Sequence, residues 1–153
     1  MKKLQKPILG GLVLIISMLF IVACEQAVKT TGPTVTVYKS PTCGCCKKWV
    51  SHLEANGFQV KAVDLTDMNV VKERYGVQPR FASCHTAVVN GYIIEGHVPA
   101  DLIRKLLKEK PKVVGLTVPG MPMGAPGMEG PRKQAYNVLT FDKSGKLGIY
   151  DKR

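Results

Sequence analysis

The sequence predicts an α/β fold built on one mixed sheet, and three observations predict it. β-branched and apolar residues alternate with polar ones in "TVTVYKS" (Thr34–Ser40) and "FQVKAVDL" (Phe58–Leu65), which is the period of strands. Between them, Val50 and Leu53 stand against charged Lys47, Lys48 and Glu54, an amphipathic helical pattern that "NG" at Asn56–Gly57 stops. Further on, "TAVVNGYIIEG" sets two apolar runs around Asn90–Gly91, a strong hairpin signal. A chain of 153 residues has room for one ordinary domain, and 45% hydrophobic with 22% charged residues is a globular composition.

Taken in order, Thr34–Ser40 is the first strand. Pro41 and Thr42 open the first helix, with Thr42 as its N-cap. After the strand Phe58–Leu65, Thr66 or Asp67 caps a short helix running to about Tyr75 and ended by Gly76. The hairpin follows. "PADLIRKLLKEKP" is then a helix, with Pro99 near its start, Asp101 in its first turn and Pro111 after its end. The order β-α-β-α-β-β-α is the thioredoxin-like arrangement, a mixed sheet with helices on both faces. The tail from Lys112 differs. "GLTVPGMPMGAPGMEGP" is a Met/Gly/Pro loop, and "YNVLTFDKSGKLGIY" is a β-hairpin turning at Asp142–Gly145. Nothing in it suggests a second core, so it is expected as an extension packed on the main domain, residues 34–153.

The N-terminus carries a different message. Lys2, Lys3 and Lys6 precede Ile8–Ala23, an uncharged, largely apolar run of 16 residues. A membrane span needs about 20, so the run suits a signal peptide over residues 1–23. Its end, "FIVAC", resembles the bacterial lipobox. That resemblance implies cleavage before Cys24 and attachment of diacylglycerol to its sulfur. Glu25 rather than Asp follows, so the inner-membrane retention signal of Gram-negative lipoproteins is missing and the outer membrane is implied. An uncleaved anchor helix is the plainer alternative. Either way the domain is expected outside the cytoplasm and tethered to a membrane, with residues 24–33 as a short linker. Losing residues 1–23 removes three lysines and no acid, lowering the formal charge from +11 to +8. A basic surface of this size suits anionic lipid. With no interleaved aromatics, no nucleic-acid motif and an exported address, nucleic acid is excluded as a partner.

Cys24 set aside, four cysteines remain: Cys43, Cys45, Cys46 and Cys84. An even count outside the cytoplasm usually means disulfides, yet three of these are crowded into four positions, and a bridge between adjacent Cys45 and Cys46 would be strained. In a thioredoxin-like fold Cys43 falls at the N-terminus of the first helix with Cys46 one turn later, where the helix dipole favours thiolate. Those two have the C-x-x-C spacing of a redox pair. Cys45 adds a third thiol. Cys84–His85–Thr86 stands where thioredoxins place a cis-proline beside the dithiol, so a four-thiol pocket is expected. Four thiolates are a soft set, suited to Cu(I), Zn(II) or iron–sulfur. Neighbouring thiols diverge by about 100° on a helix and chelate one small ion awkwardly, whereas bridging thiolates hold several Cu(I) ions. Copper is therefore favoured over zinc.

His85 is a ligand if the strand has not begun at that point; on the strand it would face away from Cys84 and serve as polar support. His52, seven residues past Cys45, is read as part of a solvated helix face. Trp49 either shields the pocket or simply packs. Met121, Met123 and Met128 offer thioethers that suit Cu(I), as a lid or entry site above the cysteines; equally, they fill an irregular apolar gap.

"PTVTVYKSPTCGCCKKWVSHLEANGF", "SCHTAVVNGYIIEGHVPADLIRKLL" and "GLTVPGMPMGAPGMEG" resemble the CopG-like family of periplasmic, thioredoxin-like metal-binding proteins found among copper-resistance genes, also catalogued as a domain of unknown function. The likeness runs from about Pro33 to Tyr150. It implies copper binding by Cys43, Cys45, Cys46 and Cys84, with redox handling of copper and other periplasmic copper-handling proteins as partners. It also makes His97, in "EGHVP", a ligand or the support of one. Two functions compete: a copper-resistance protein holding Cu(I), as a multi-copper cluster with redox activity, and a thiol–disulfide oxidoreductase or copper reductase with Cys43 and Cys46 catalytic. Thiols that serve only as structural bridges are a third reading.

Overall fold

A computed structural model describes residues 31–153; the expected signal peptide, Cys24 and most of the linker lie outside the described residues. The elements are β1 (Thr34–Lys39), α1 (Gly44–Ala55), β2 (Gln59–Asp64), α2 (Asn69–Arg74), β3 (Thr86–Val89), β4 (Tyr92–Glu95), α3 (Ala100–Glu109), β5 (Gly115–Thr117), β6 (Asn137–Phe141) and β7 (Leu147–Lys152), with a 3-10 turn at Pro79–Phe81. All seven strands form one mixed sheet in the order β2-β1-β3-β4-β5-β6-β7. β1 and β2 are parallel, as are β4 and β5, and the other neighbours are antiparallel. The mixed α/β architecture and the order of the first seven helices and strands are as the sequence predicts.

The tail is where the structure corrects that reading. Gly115–Thr117, expected inside a loop, is a strand buried at all three positions. It pairs with β4 on one side and β6 on the other, so the C-terminal hairpin continues the main sheet instead of packing on it. Three residues buried on both faces show no alternation, which is why no strand was legible there. The helix starts also differ. Thr42 does not cap α1: its hydroxyl lies 3.1 Å from that of Ser40, and Cys43 is the N-cap, its sulfur accepting from the Cys46 N–H at 3.3 Å. α2 has no side-chain cap; Asp67 turns the chain just ahead of it, its carboxylate accepting from the Asn69 N–H at 2.9 Å.

Ile93 and Ile94 are adjacent on β4 and so face opposite sides of the sheet. Ile94 joins Val35, Val37, Trp49, Leu53, Ile103 and Leu106 in the larger core, beneath α1 and α3. Ile93 packs with Val77, Phe81 and Phe141 on the other face. Each such side chain contributes about 1.5–3 kcal/mol of burial. The strand directions then define two poles. β1 and β4 end, and α1 and β3 begin, at one pole; the Asn90–Gly91 turn, the end of α3 and the β6–β7 turn lie at the other. Among the described residues no helix is long and apolar enough to cross a membrane.

Candidate metal centre

The first pole gathers the chemistry. β1 delivers the chain to Cys43, whose extended backbone makes it the N-cap of α1, and the helix carries Cys45 and Cys46 in its first turn. A disulfide joins Cys43 and Cys46, while Cys45 and Cys84 are free thiols. Cys46 is fully buried; the other three are half-buried. The sulfur of Cys45 lies 3.4 Å from that of Cys43 and 4.0 Å from that of Cys84. All four sulfurs fall within 4.8 Å of one another. The spacing that sequence reasoning brought together is thus brought together in space.

Cys84 also belongs to a second group. Its sulfur is 3.2 Å from His85 Nδ1 and 3.1 Å from His97 Nε2, and these three donors again fit within 4.8 Å. β3 begins at Thr86, so the strand has not begun at His85 and its ring stays beside Cys84. His97 lies 2.7 Å from the Pro126 carbonyl through Nδ1. A carbonyl only accepts, so Nδ1 carries the proton and Nε2 offers its lone pair toward the Cys84 sulfur. His85 is fully buried, its Nε2 has no partner among the described residues, and its ring sits 4.4 Å from that of Trp49 and 4.9 Å from that of His97. Trp49 therefore does pack over the centre, held by its indole N–H donating to the Val98 carbonyl at 2.9 Å.

Burial sets the protonation of this half. It pushes the Cys84 thiol up to about 12, helped by repulsion from Cys45 and a hydrogen bond to it. It holds His85 well below the ordinary histidine range, with His97 and Lys72 adding repulsion. His97 is lowered by burial too, with the Pro126 carbonyl and Glu129 pulling the other way. Burial thus favours the neutral forms of all three groups; a neutral imidazole is a ready donor, whereas the thiol must lose its proton to bind a soft metal.

The segment bearing Cys84 hangs from a carboxylate that sequence reasoning missed. Glu95, fully buried at the end of β4, accepts from the Ser83 N–H and the Thr86 hydroxyl, each at 2.6 Å. It is ion-paired with Lys72 of α2, which also reaches Thr86 Oγ1 at 3.2 Å. Burial raises the Glu95 carboxyl, while Lys72, Thr86 and Ser83 pull it back toward the charged form. The signal was the single acid closing the apolar run "YIIE". Beside it, Gly96 sits at φ +72°, where a Cβ would meet Ser83 Oγ at 2.5 Å and the Val118 carbonyl at 2.7 Å. Only glycine lets β4 pass this close to the Cys84 segment.

The Met/Gly/Pro loop closes over α1. At Gly127 (φ +83°) a Cβ would meet the Cys45 carbonyl at 2.7 Å, so the loop backbone rests on the helix N-terminus. Met123, Met128, Glu129 and Lys48 surround an open cavity of about 350 Å³ above Cys45. Glu129 accepts from the Gly127 N–H at 2.6 Å, and that bond holds its carboxyl below the usual range. Met121 is 53% exposed and does not line this cavity. His52 needs a correction. It is half-buried, and its Nε2 accepts from the Ala100 N–H at 3.1 Å, capping α3 in place of an N-cap side chain.

A mixed α/β sheet whose pole gathers four sulfurs and two imidazoles defines the chain as an α/β protein with a candidate soft-metal centre. Comparison with known proteins places it more narrowly. A family described as "Protein of unknown function, DUF411" matches residues 81–128. A solved structure described as "Copper resistance protein copG- Form 2" is 46% identical, covers 80% of this chain and 98% of its own, and superposes with a TM-score of 0.76. "Copper resistance protein copG- Form 1" agrees at the same identity and coverage with a TM-score of 0.75. No curated relative matches. The chain belongs to the CopG copper-resistance protein family.

Proposed function

We propose that this is an extracytoplasmic, membrane-tethered copper-binding protein of copper resistance, holding Cu(I) through Cys43, Cys45, Cys46 and Cys84. The observation that carries the reading is the convergence of four sulfurs within 4.8 Å, with the imidazoles of His85 and His97 against Cys84. Sulfur and imidazole in this mixture suit Cu(I), and bridging thiolates allow more than one ion. An external dithiol reductant, itself oxidised to a disulfide, must first deliver two electrons and two protons to open the Cys43–Cys46 disulfide to thiols. Met123 and Met128 then stand as thioether donors at the cavity mouth beside Cys45. Copper-handling proteins outside the cytoplasm would supply or collect the ion. The lipoprotein address rests on residues 1–24, and the mass of the N-terminal peptide tests it.

Anaerobic titration of the reduced protein with Cu(I) and Zn(II) against a competing chelator, counted by native mass spectrometry, tests the binding. Retention of Cu(I) in preference to Zn(II) is expected. Loss of all Cu(I) to the chelator would overturn the reading.

The Cys43–Cys46 disulfide favours a second reading, a copper reductase. In it the Cys43/Cys46 dithiol gives one electron to each of two Cu(II), leaving a disulfide, two Cu(I) and two protons. Cys43 would then be a reacting sulfur and Cys46 its partner. Stoichiometric loss of the two thiols on adding Cu(II) would support it; unchanged thiols would exclude it.

A further inference from the structure

The pole opposite the cysteines has its own composition. Lys110 and Lys112 leave the end of α3, and Lys143 and Lys146 stand in the β6–β7 turn, all four exposed. With Asn90 and Gly91 they rim a groove of three adjoining open hollows that share Val113, floored by Tyr92, Leu107, Val113 and Val114; the largest of the three is about 600 Å³. Asp142 is the acid along it, and its carboxylate is committed to the turn, accepting from the Ser144 N–H at 2.8 Å, the Ser144 hydroxyl at 2.6 Å and the Lys146 N–H at 3.0 Å.

The chain also enters the domain at this pole. β1 runs from Thr34 toward Cys43, and its pairing of Thr36 with Val88 puts its start beside the end of β3, next to the Asn90–Gly91 turn. β1 and β4 are separated by β3 alone, so the entry point is roughly 10 Å from the groove across the sheet.

We propose that this pole docks on anionic phospholipid headgroups, so that the metal centre faces away from the membrane. The lysines meet the phosphates, and the apolar floor takes the glycerol and first methylenes of a lipid. Anionic headgroups attract each lysine at the surface, and the attraction falls within a Debye length. The inference rests on the lipoprotein reading for the tether alone: a linker of residues 24–33 spans at most about 35 Å when extended, enough to let the pole reach the bilayer.

The two buried clusters of the described residues are formed wholly within residues 31–153, so the tether-free domain serves for the test. It is sedimented at low ionic strength with vesicles of phosphatidylcholine alone or mixed equally with phosphatidylglycerol. Binding is expected to the mixed vesicles only. K112E/K143E is expected to weaken it by more than about twentyfold, from about fivefold per lysine. R132E/K133E makes the same charge change beside the methionine loop, where Gln134 N–H binds the Met123 carbonyl at 2.8 Å, and is expected to cost less than about threefold by screening alone. A domain that binds neither vesicle, or equal losses in the two variants, would overturn the proposal. The lipid on Cys24 is read separately from the mass of the mature N-terminus, so failure of the tether and failure of the docking face remain distinguishable.

Discussion

The two halves of the cysteine pocket are built differently. Cys43, Cys45 and Cys46 come from four consecutive residues at a helix N-terminus, and their bonds are local: a disulfide and one sulfur cap. Cys84, His85 and His97 are fixed by long-range contacts, through Glu95 and Lys72 below and Pro126 above. The local half holds the Cys43–Cys46 disulfide, a bond that two electrons open. The long-range half holds three groups whose neutral forms burial favours. On the proposed copper reading, the first half supplies the redox-variable sulfurs and the second the preset donors.

The comparison breaks most severely at Glu95. Glu95→Ala strands a nearly buried ammonium and two donors, and is expected to cost roughly 3–5 kcal/mol in urea unfolding. Glu95→Gln keeps the acceptor oxygen and should lose clearly less. At the sulfur shared by both halves, Cys84→Ser should weaken Cu(I) binding at least about 100-fold, or about 2.7 kcal/mol, in chelator competition. Cys45→Ser distinguishes the functions. A four-thiol site loses at least about tenfold in Cu(I) affinity, whereas a Cys43/Cys46 reductase keeps most of its activity. His97→Ala should cost about 10- to 100-fold in affinity while leaving the urea midpoint close to wild type, if its role is toward the metal.

The smallest effect lies outside both halves. His52→Ala removes the cap of α3 and should cost about 1 kcal/mol. Burial lowers His52, His85 and His97 from the ordinary value of 6.5. The unfolded chain therefore takes up these protons first as pH falls. The stability involved is fully present above 6.5 and lost progressively below it. Melting of the metal-free protein between about pH 7.5 and about pH 5 should show this decline, and His52→Ala should flatten it. A melting point that rises on acidification would contradict these burial effects.

The sequence made the local half legible because its logic is local. A strand period, a helix stop at Asn56–Gly57 and three cysteines in four positions can be read without a fold. Cys84 was reachable because the element order puts the start of β3 beside the start of α1. Glu95, Lys72 and the cap made by His52 were not reached, since each acts on a group distant in sequence and nothing in its neighbours announces the partner. β5 escaped because three residues buried on both faces have no period. The helix start was misplaced by one residue because a cysteine sulfur, rather than the better-known threonine hydroxyl, took the capping bond.

Copper-edge X-ray absorption of the reduced, Cu(I)-loaded protein tests the four-thiolate centre most directly. A first shell dominated by sulfur is expected, with a small nitrogen contribution that falls in His97→Ala. A first shell of nitrogen and oxygen, unchanged in Cys84→Ser, would contradict it.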